Sequence, residues 1–176
     1  NYAPLEERKI PNTSGWWNTI EKADVDGDGD QDLLLGNFGI NTNLKASIDY
    51  PVNLYIKDFD DNSKIDPIMS YYKDGKEYPY YSLDEMAGQL VELKKRYRTY
   101  ESYANSKFQD VFPSQKLVGS EKLNAVTFES VFLENKIGQF VIEKLPNDLQ
   151  MSPIYSFAID DFNKDGASDF IAGGNF

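Results

Sequence analysis

Apolar and polar residues alternate over several short stretches of this chain, and three pairs of such stretches each bracket a run of a different kind. Thr19-Ile20-Glu21-Lys22-Ala23 and Leu33-Leu34-Leu35 bracket the first. Val52-Asn53-Leu54-Tyr55-Ile56 and residues 67–72 bracket the second, and Tyr155-Ser156-Phe157-Ala158-Ile159 and Phe170-Ile171-Ala172 the third. A period of two marks a half-buried strand, so each pair predicts a hairpin. Lys73-Asp74-Gly75-Lys76 predicts a tight turn between two tyrosine-bearing strands. Residues 126–133 and 140–142 read as two further strands, with a turn at Glu134-Asn135-Lys136.

Between the second and third hairpins the period changes. Ser82-Leu83-Asp84-Glu85 is a capping box, with serine as N-cap and glutamate three residues on. Behind it Met86, Leu90, Leu93, Tyr97, Tyr100, Ala104 and Phe108 recur every three or four positions. That predicts an amphipathic helix or a helical pair ending before Pro113, a helical insertion around residues 83–112. Lys94, Lys95, Arg96 and Arg98 form its one dense basic cluster, either a docking face for an acidic partner or glycan or an ordinary solvated helix face. Trp16 and Trp17 read either as a platform for a sugar ring or as packing at the start of a strand. The organisation expected is one segment over 1–176. It comprises an opening linker over 1–15, two hairpins over 16–81, the helical insert over 82–113, and closing strands with the third hairpin over 124–176.

The runs inside the hairpins carry the chemistry. They are Asp24-Val-Asp26-Gly-Asp28-Gly-Asp30-Gln-Asp32, Asp58-Phe-Asp60-Asp-Asn62-Ser-Lys64-Ile-Asp66 and Asp161-Phe-Asn163-Lys-Asp165-Gly-Ala167-Ser-Asp169. Oxygen-bearing side chains stand at positions 1, 3, 5 and 9 of all three. Two carboxylates about 5 Å apart repel by about 3 kcal/mol at an effective dielectric near 20, so several pairs in one loop call for a cation. A hard cation with six to eight oxygen ligands, calcium, fits this donor set. An EF-hand does not. Its loop needs a bidentate glutamate at position 12 between two helices, and position 12 is Leu35, Met69 or Ala172 here.

Formal charge is −11, which argues against nucleic acid and anionic membrane surfaces as partners. The chain has no cysteine and no histidine. Disulfides and a histidine general base are therefore absent from its chemistry, and no catalytic set suggests itself. No run of eighteen apolar residues is present, so membrane insertion is not expected.

The three runs, with Leu35-Gly36-Asn37-Phe38 and Ala172-Gly173-Gly174-Asn175-Phe176 behind the first and third, resemble FG-GAP/VCBS repeats, the integrin-α-like propeller repeats. The stretch Asn135-Lys136-Ile137-Gly138-Gln139-Phe140 resembles the closing hairpin of a VCBS-type blade. The resemblance implies a mainly β fold built of β-propeller blades, here a partial propeller of roughly two blades and part of a third, with up to three structural Ca2+ ions. It implies as ligands the side chains of Asp24, Asp26, Asp28 and Asp32 with the Asp30 carbonyl. In the second loop these are Asp58, Asp60, Asn62 and Asp66 with the Lys64 carbonyl, and in the third Asp161, Asn163, Asp165 and Asp169 with the Ala167 carbonyl. Ser63 departs from the glycine expected at position 6, and the first ligands are unevenly spaced. The function expected is a binding or adhesion module for protein or carbohydrate, within a longer exported polypeptide found extracellularly, at the cell surface or in the periplasm. The alternatives are the propeller part of a polysaccharide lyase or hydrolase, with Tyr78, Tyr80, Tyr81 or a lysine as base, and a purely architectural role.

Overall fold

The computed structural model describes residues 13–175, so the expected opening linker lies outside the described residues up to residue 12, as does Phe176. Strands hold 37% of the chain and helices 18%, which makes the protein mainly β, with antiparallel sheets, none of them closed. It divides into two compact units, one of residues 1–43 with 127–176 and one of Leu44–Val126.

In the first unit, β1 (Thr19–Ala23) and β2 (Asp32–Gly36) form the first expected hairpin, pairing Ala23 with Asp32 and Thr19 with Gly36. β2 then pairs on its other side with Val131–Lys136, a strand nearly a hundred residues away in sequence, which turns back into Gln139–Lys144. Alternation along β2 sends neighbouring leucines to opposite faces. Leu34 joins Leu145, Ile154 and Phe157 in one core cluster, and Leu35 joins Val131 and Leu133 in another. The third expected hairpin, Ile154–Asp160 with Asp169–Gly174, contributes Ile154, Phe157, Phe170 and Ala172 to the Leu34 cluster. A buried polar cluster ties the unit together. The Asn37 backbone N–H donates to Ser130 Oγ at 3.0 Å, and its amide Nδ2 donates to the Thr127 and Glu129 carbonyls. Gln150 Nε2 donates to the Ser130 and Leu145 carbonyls. Gly36 is required here by space, because a Cβ would stand 2.7 Å from the Ile154 carbonyl oxygen.

The second unit is one sheet with a helical cover. β3 (Val52–Lys57) and β4 (Asp66–Lys73) form the second expected hairpin, and β5 (Lys76–Pro79) follows through the expected tight turn at Asp74-Gly75. On the far side of β3 lies β6 (Glu121–Ala125). Of the strand expected over 126–133, only residues 131–133 are strand. β6 ends at Ala125 and the next strand, β7 (Val131–Lys136), opens at Val131 in the first unit. Between them the Ser130 hydroxyl accepts from the Asn37 N–H and the Ser130 N–H donates to Gln150 Oε1, while its carbonyl accepts from Gln150 Nε2 and the Leu145 N–H. The turn expected at 134–136 also moves, because Asn135 and Lys136 still pair with Phe140 and Gln139 of β8 (Gln139–Lys144). Ile137 and Gly138 make the two-residue turn, both at positive φ (54° and 81°).

The helix or helical pair expected over 83–112 is four short helices, α1 (Leu83–Gln89), α2 (Glu92–Arg96), α3 (Tyr100–Ala104) and α4 (Phe108–Val111), and a fifth, α5 (Ser114–Leu117), follows Pro113 beyond the expected end. Ser82 and Glu85 make the predicted capping box at α1. The helix breaks at Leu90 and again at Tyr97, and Thr99, in extended geometry, caps α3 by accepting from the Ser102 N–H. Each break resets the helical phase. Tyr103 is therefore buried while Tyr100 and Ala104 are exposed. Met86, Leu90, Leu93, Tyr97 and Phe108 join Tyr55 and Ile68 of the sheet in the largest core cluster.

Candidate metal loops

Each acidic run sits between the two strands of its hairpin, and the three runs follow one backbone course. Positions 4 and 6 have positive φ every time. They are Gly27 and Gly29, Asp61 and Ser63, Lys164 and Gly166. Glycine adopts this conformation freely, whereas other residues pay sterically. Position 9 opens the outgoing strand, β2, β4 or β10 (Asp169–Gly174), and its carboxylate turns back over the loop. The position-2 N–H donates to it in all three: Val25 to Asp32 at 3.0 Å, Phe59 to Asp66 at 2.9 Å and Phe162 to Asp169 at 3.1 Å. The position-6 N–H donates to the first aspartate, Gly29 to Asp24, Ser63 to Asp58 and Gly166 to Asp161. The position-7 N–H donates to the side chain at position 5, Asp30 to Asp28, Lys64 to Asn62 and Ala167 to Asp165.

These bonds fold the side-chain oxygens inward. Among the described residues, three carboxylates come within 4.8 Å of one another at Asp24, Asp26 and Asp28 and again at Asp58, Asp60 and Asp66. The third loop has Asn163 at position 3, and its Nδ2 donates to Asp165 Oδ2 at 3.1 Å. Asp32 and Asp66 are buried, at 1% and 4% exposure. The crowding leaves an electrostatic signature in the first loop. For Asp26, the Asp28 N–H favours the charged form, but burial and the charges of Asp28 and Asp32 outweigh it and raise the pKa above the ordinary carboxylate value. Asp30 is also raised, by burial first and then by Asp28 and Asp32. Its Oδ1 is buried without a hydrogen-bond partner. The first loop thus concentrates oxygen donors, places like charges close together and leaves one carboxylate oxygen without a hydrogen-bond partner, a donor set of the kind a hard cation would suit.

Asn135, expected in a turn and a closing hairpin, also ties the first loop to the β7–β8 hairpin. Its N–H donates to Asp32 Oδ1 at 2.9 Å and its Nδ2 to the Gln31 carbonyl. The tryptophan pair is engaged in packing. Trp16 lies 5.1 Å from Phe38 and 5.5 Å from Phe128 between ring centroids, and Trp17 donates its indole N–H to the Thr13 carbonyl. Within the basic cluster, Arg96 donates to the Val111 and Asp110 carbonyls, and Lys94, Lys95 and Arg98 are exposed. Tyr78, Tyr80 and Tyr81 belong to a chain of ring contacts that includes Tyr71. Among the described residues no helix is long and apolar enough to cross a membrane. Compared with family models, with curated proteins and with solved structures, the chain finds no match in any of the three.

Proposed function

We propose that this chain is a calcium-stabilised β-propeller segment of the FG-GAP/VCBS type, serving an exported protein as a binding or adhesion module for protein or carbohydrate. The observation that carries the reading is the common geometry of the three loops. Left-handed residues at positions 4 and 6 and a carboxylate folded back from position 9 accompany oxygen donors at 1, 3 and 5 every time. In this reading β1, β2, β7 and β8 are one blade, interrupted by residues 44–126, and β9 (Ile154–Asp160) with β10 begins another. The ions would be held by Asp24, Asp26, Asp28 and Asp32, by Asp58, Asp60, Asn62 and Asp66, and by Asp161, Asn163, Asp165 and Asp169, with the carbonyls of Asp30, Lys64 and Ala167. Bound calcium supplies charge neutralisation and cross-links strand ends, a structural task rather than a catalytic one.

The architectural reading has one observation in its favour. Leu83, Met86, Leu90, Leu93, Tyr97, Tyr103, Phe108, Val111 and Phe112 of the helical segment are packed into the second unit's own core, so most of the large apolar side chains between residues 83 and 112 serve the fold, with Val91 and Tyr100 left exposed. A glycan array combined with a lyase and hydrolase turnover screen separates the readings. Glycan binding without turnover is expected. Turnover would overturn the binding-module assignment, and silence in both would leave the architectural role.

A further inference from the structure

We infer that Asn135 is a positioning residue that makes the first loop the tightest of the three ion sites and couples ion binding there to the β7–β8 hairpin. The role presupposes the calcium reading above and adds to it an order of filling. Charge separates the loops first. At positions 1, 3, 5 and 9 the first loop brings four carboxylates, Asp24, Asp26, Asp28 and Asp32. The second and third bring three each, with Asn62 or Asn163 as the fourth donor. Calcium affinity follows ligand charge and the rigidity of the site.

Rigidity separates them again. In the second and third loops the side-chain oxygens accept from donors of their own loop. Among the described residues, Asp32 is the one position-9 carboxylate also held from another part of the fold. The Val25 N–H donates to its Oδ2 and the Asn135 N–H to its Oδ1 at 2.9 Å. Asn135 Nδ2 holds the Gln31 carbonyl at 3.3 Å, and its Oδ1 accepts from the Gly138 N–H at 2.8 Å. One residue thus spans the loop, the end of β7 and the turn into β8. A carboxylate has about four acceptor sites, so two N–H donors fix Asp32 and leave lone pairs for an ion. The same corner is under electrostatic load. The Asp28 N–H favours the charged form of Asp26, but burial and the charges of Asp28, Asp32 and Glu134 of β7 outweigh it. Loop and strand therefore repel while Asn135 holds them together, and Lys136, 2.7 Å from Glu134, offsets part of that repulsion. A bound cation removes the rest. Filling the first loop tightens the β2–β7 join, whose two strands stand on either side of residues 44–126 in the sequence.

The test follows the backbone amide signals of the full chain by NMR as calcium is titrated into chelated protein. Gly27 and Gly29 report the first loop, Ser63 the second, Gly166 the third and Gly138 the β7–β8 turn. The first loop should saturate at roughly tenfold lower free calcium than the other two, with Gly138 following the Gly29 curve. Asn135→Ala should weaken the first loop about tenfold, the lower end of the range for losing a partner of a metal ligand, and leave the other two unchanged. Should Asn135→Ala fail to fold, Asn135→Ser, which keeps a hydroxyl acceptor for the Gly138 N–H, and the wild-type order of filling decide. A first loop that fills with or after the others, a Gly138 signal that follows Ser63 or Gly166 or stays still, or equal weakening of all three loops or of none would overturn the inference while leaving the calcium reading intact. Amide signals that do not move at any calcium concentration would overturn both.

Discussion

Ser63 and Asp30 show how one loop course tolerates different residues. Ser63 holds φ 67° where the other two loops have glycine, so it carries a steric penalty that Gly29 and Gly166 avoid. Ser63→Gly should therefore raise ion-free stability by roughly 0.5–1 kcal/mol in a denaturant melt, the gain being reduced by the extra freedom glycine gives the unfolded chain. Ile137 is a stronger case, with φ 54° at a β-branched residue that is 99% exposed. Asparagine before Gly138 is the preferred partner of this turn, and Ile137→Asn should stabilise by about 1 kcal/mol. Asp30 makes the finer test of the loop. Its side chain is raised by burial and by its neighbours, and one oxygen is unpartnered, while the proposed ligand is its main-chain carbonyl. Asp30→Asn should thus raise the unfolding midpoint of the chelated protein and preserve calcium binding by calorimetry. Asp24→Ala, which removes a ligand and the acceptor for the Gly27 and Gly29 N–H groups, should abolish binding at that loop. Equal loss of binding in both variants would contradict the assignment of the Asp30 carbonyl.

Caps and turns decide where the elements begin. Ser82→Ala should cost about 1 kcal/mol, the usual loss for an N-cap serine. Glu85 adds a pH signature. Its bonds from the Ser82 hydroxyl and N–H hold its pKa below the ordinary carboxylate value. A folded pKa lower than the unfolded one gives stability that is present above the unfolded value and lost as pH falls through the folded one. The stability gap between the wild type and Glu85→Gln should accordingly close in acid. The α1 start was legible because a capping box is local chemistry. The later helices were not, because the apolar spacing from Met86 to Phe108 runs on through breaks at Leu90 and Tyr97 that only caps and packing reveal. The three hairpins were legible for the opposite reason. Their period of two and their loop residues both specify the same turn. Ser130 shows the limit of pattern reading, since an alternating run looks like a strand even where a backbone N–H goes to the Gln150 side chain instead.

At the scale of the molecule, the spacing of the acidic runs looks irregular only along the chain. β2 takes its second partner from Val131–Lys136, so Leu44–Val126, with the second loop and helices α1 to α5, falls inside the sequence of the first unit. Sequence periodicity reports neighbours a few residues apart and carries no record of a pairing across a long excursion. Asn135, whose N–H meets Asp32, was invisible for that reason. The central claim, that cations neutralise these loops, is tested most directly by thermal unfolding of the intact protein in chelator and in increasing calcium. A ligand that binds only the folded chain, at a hundredfold excess over Kd, should raise the midpoint by roughly 5–10 °C. Magnesium, which demands smaller octahedral sites, should do much less. Melting curves that superpose in chelator and in saturating calcium would contradict the account.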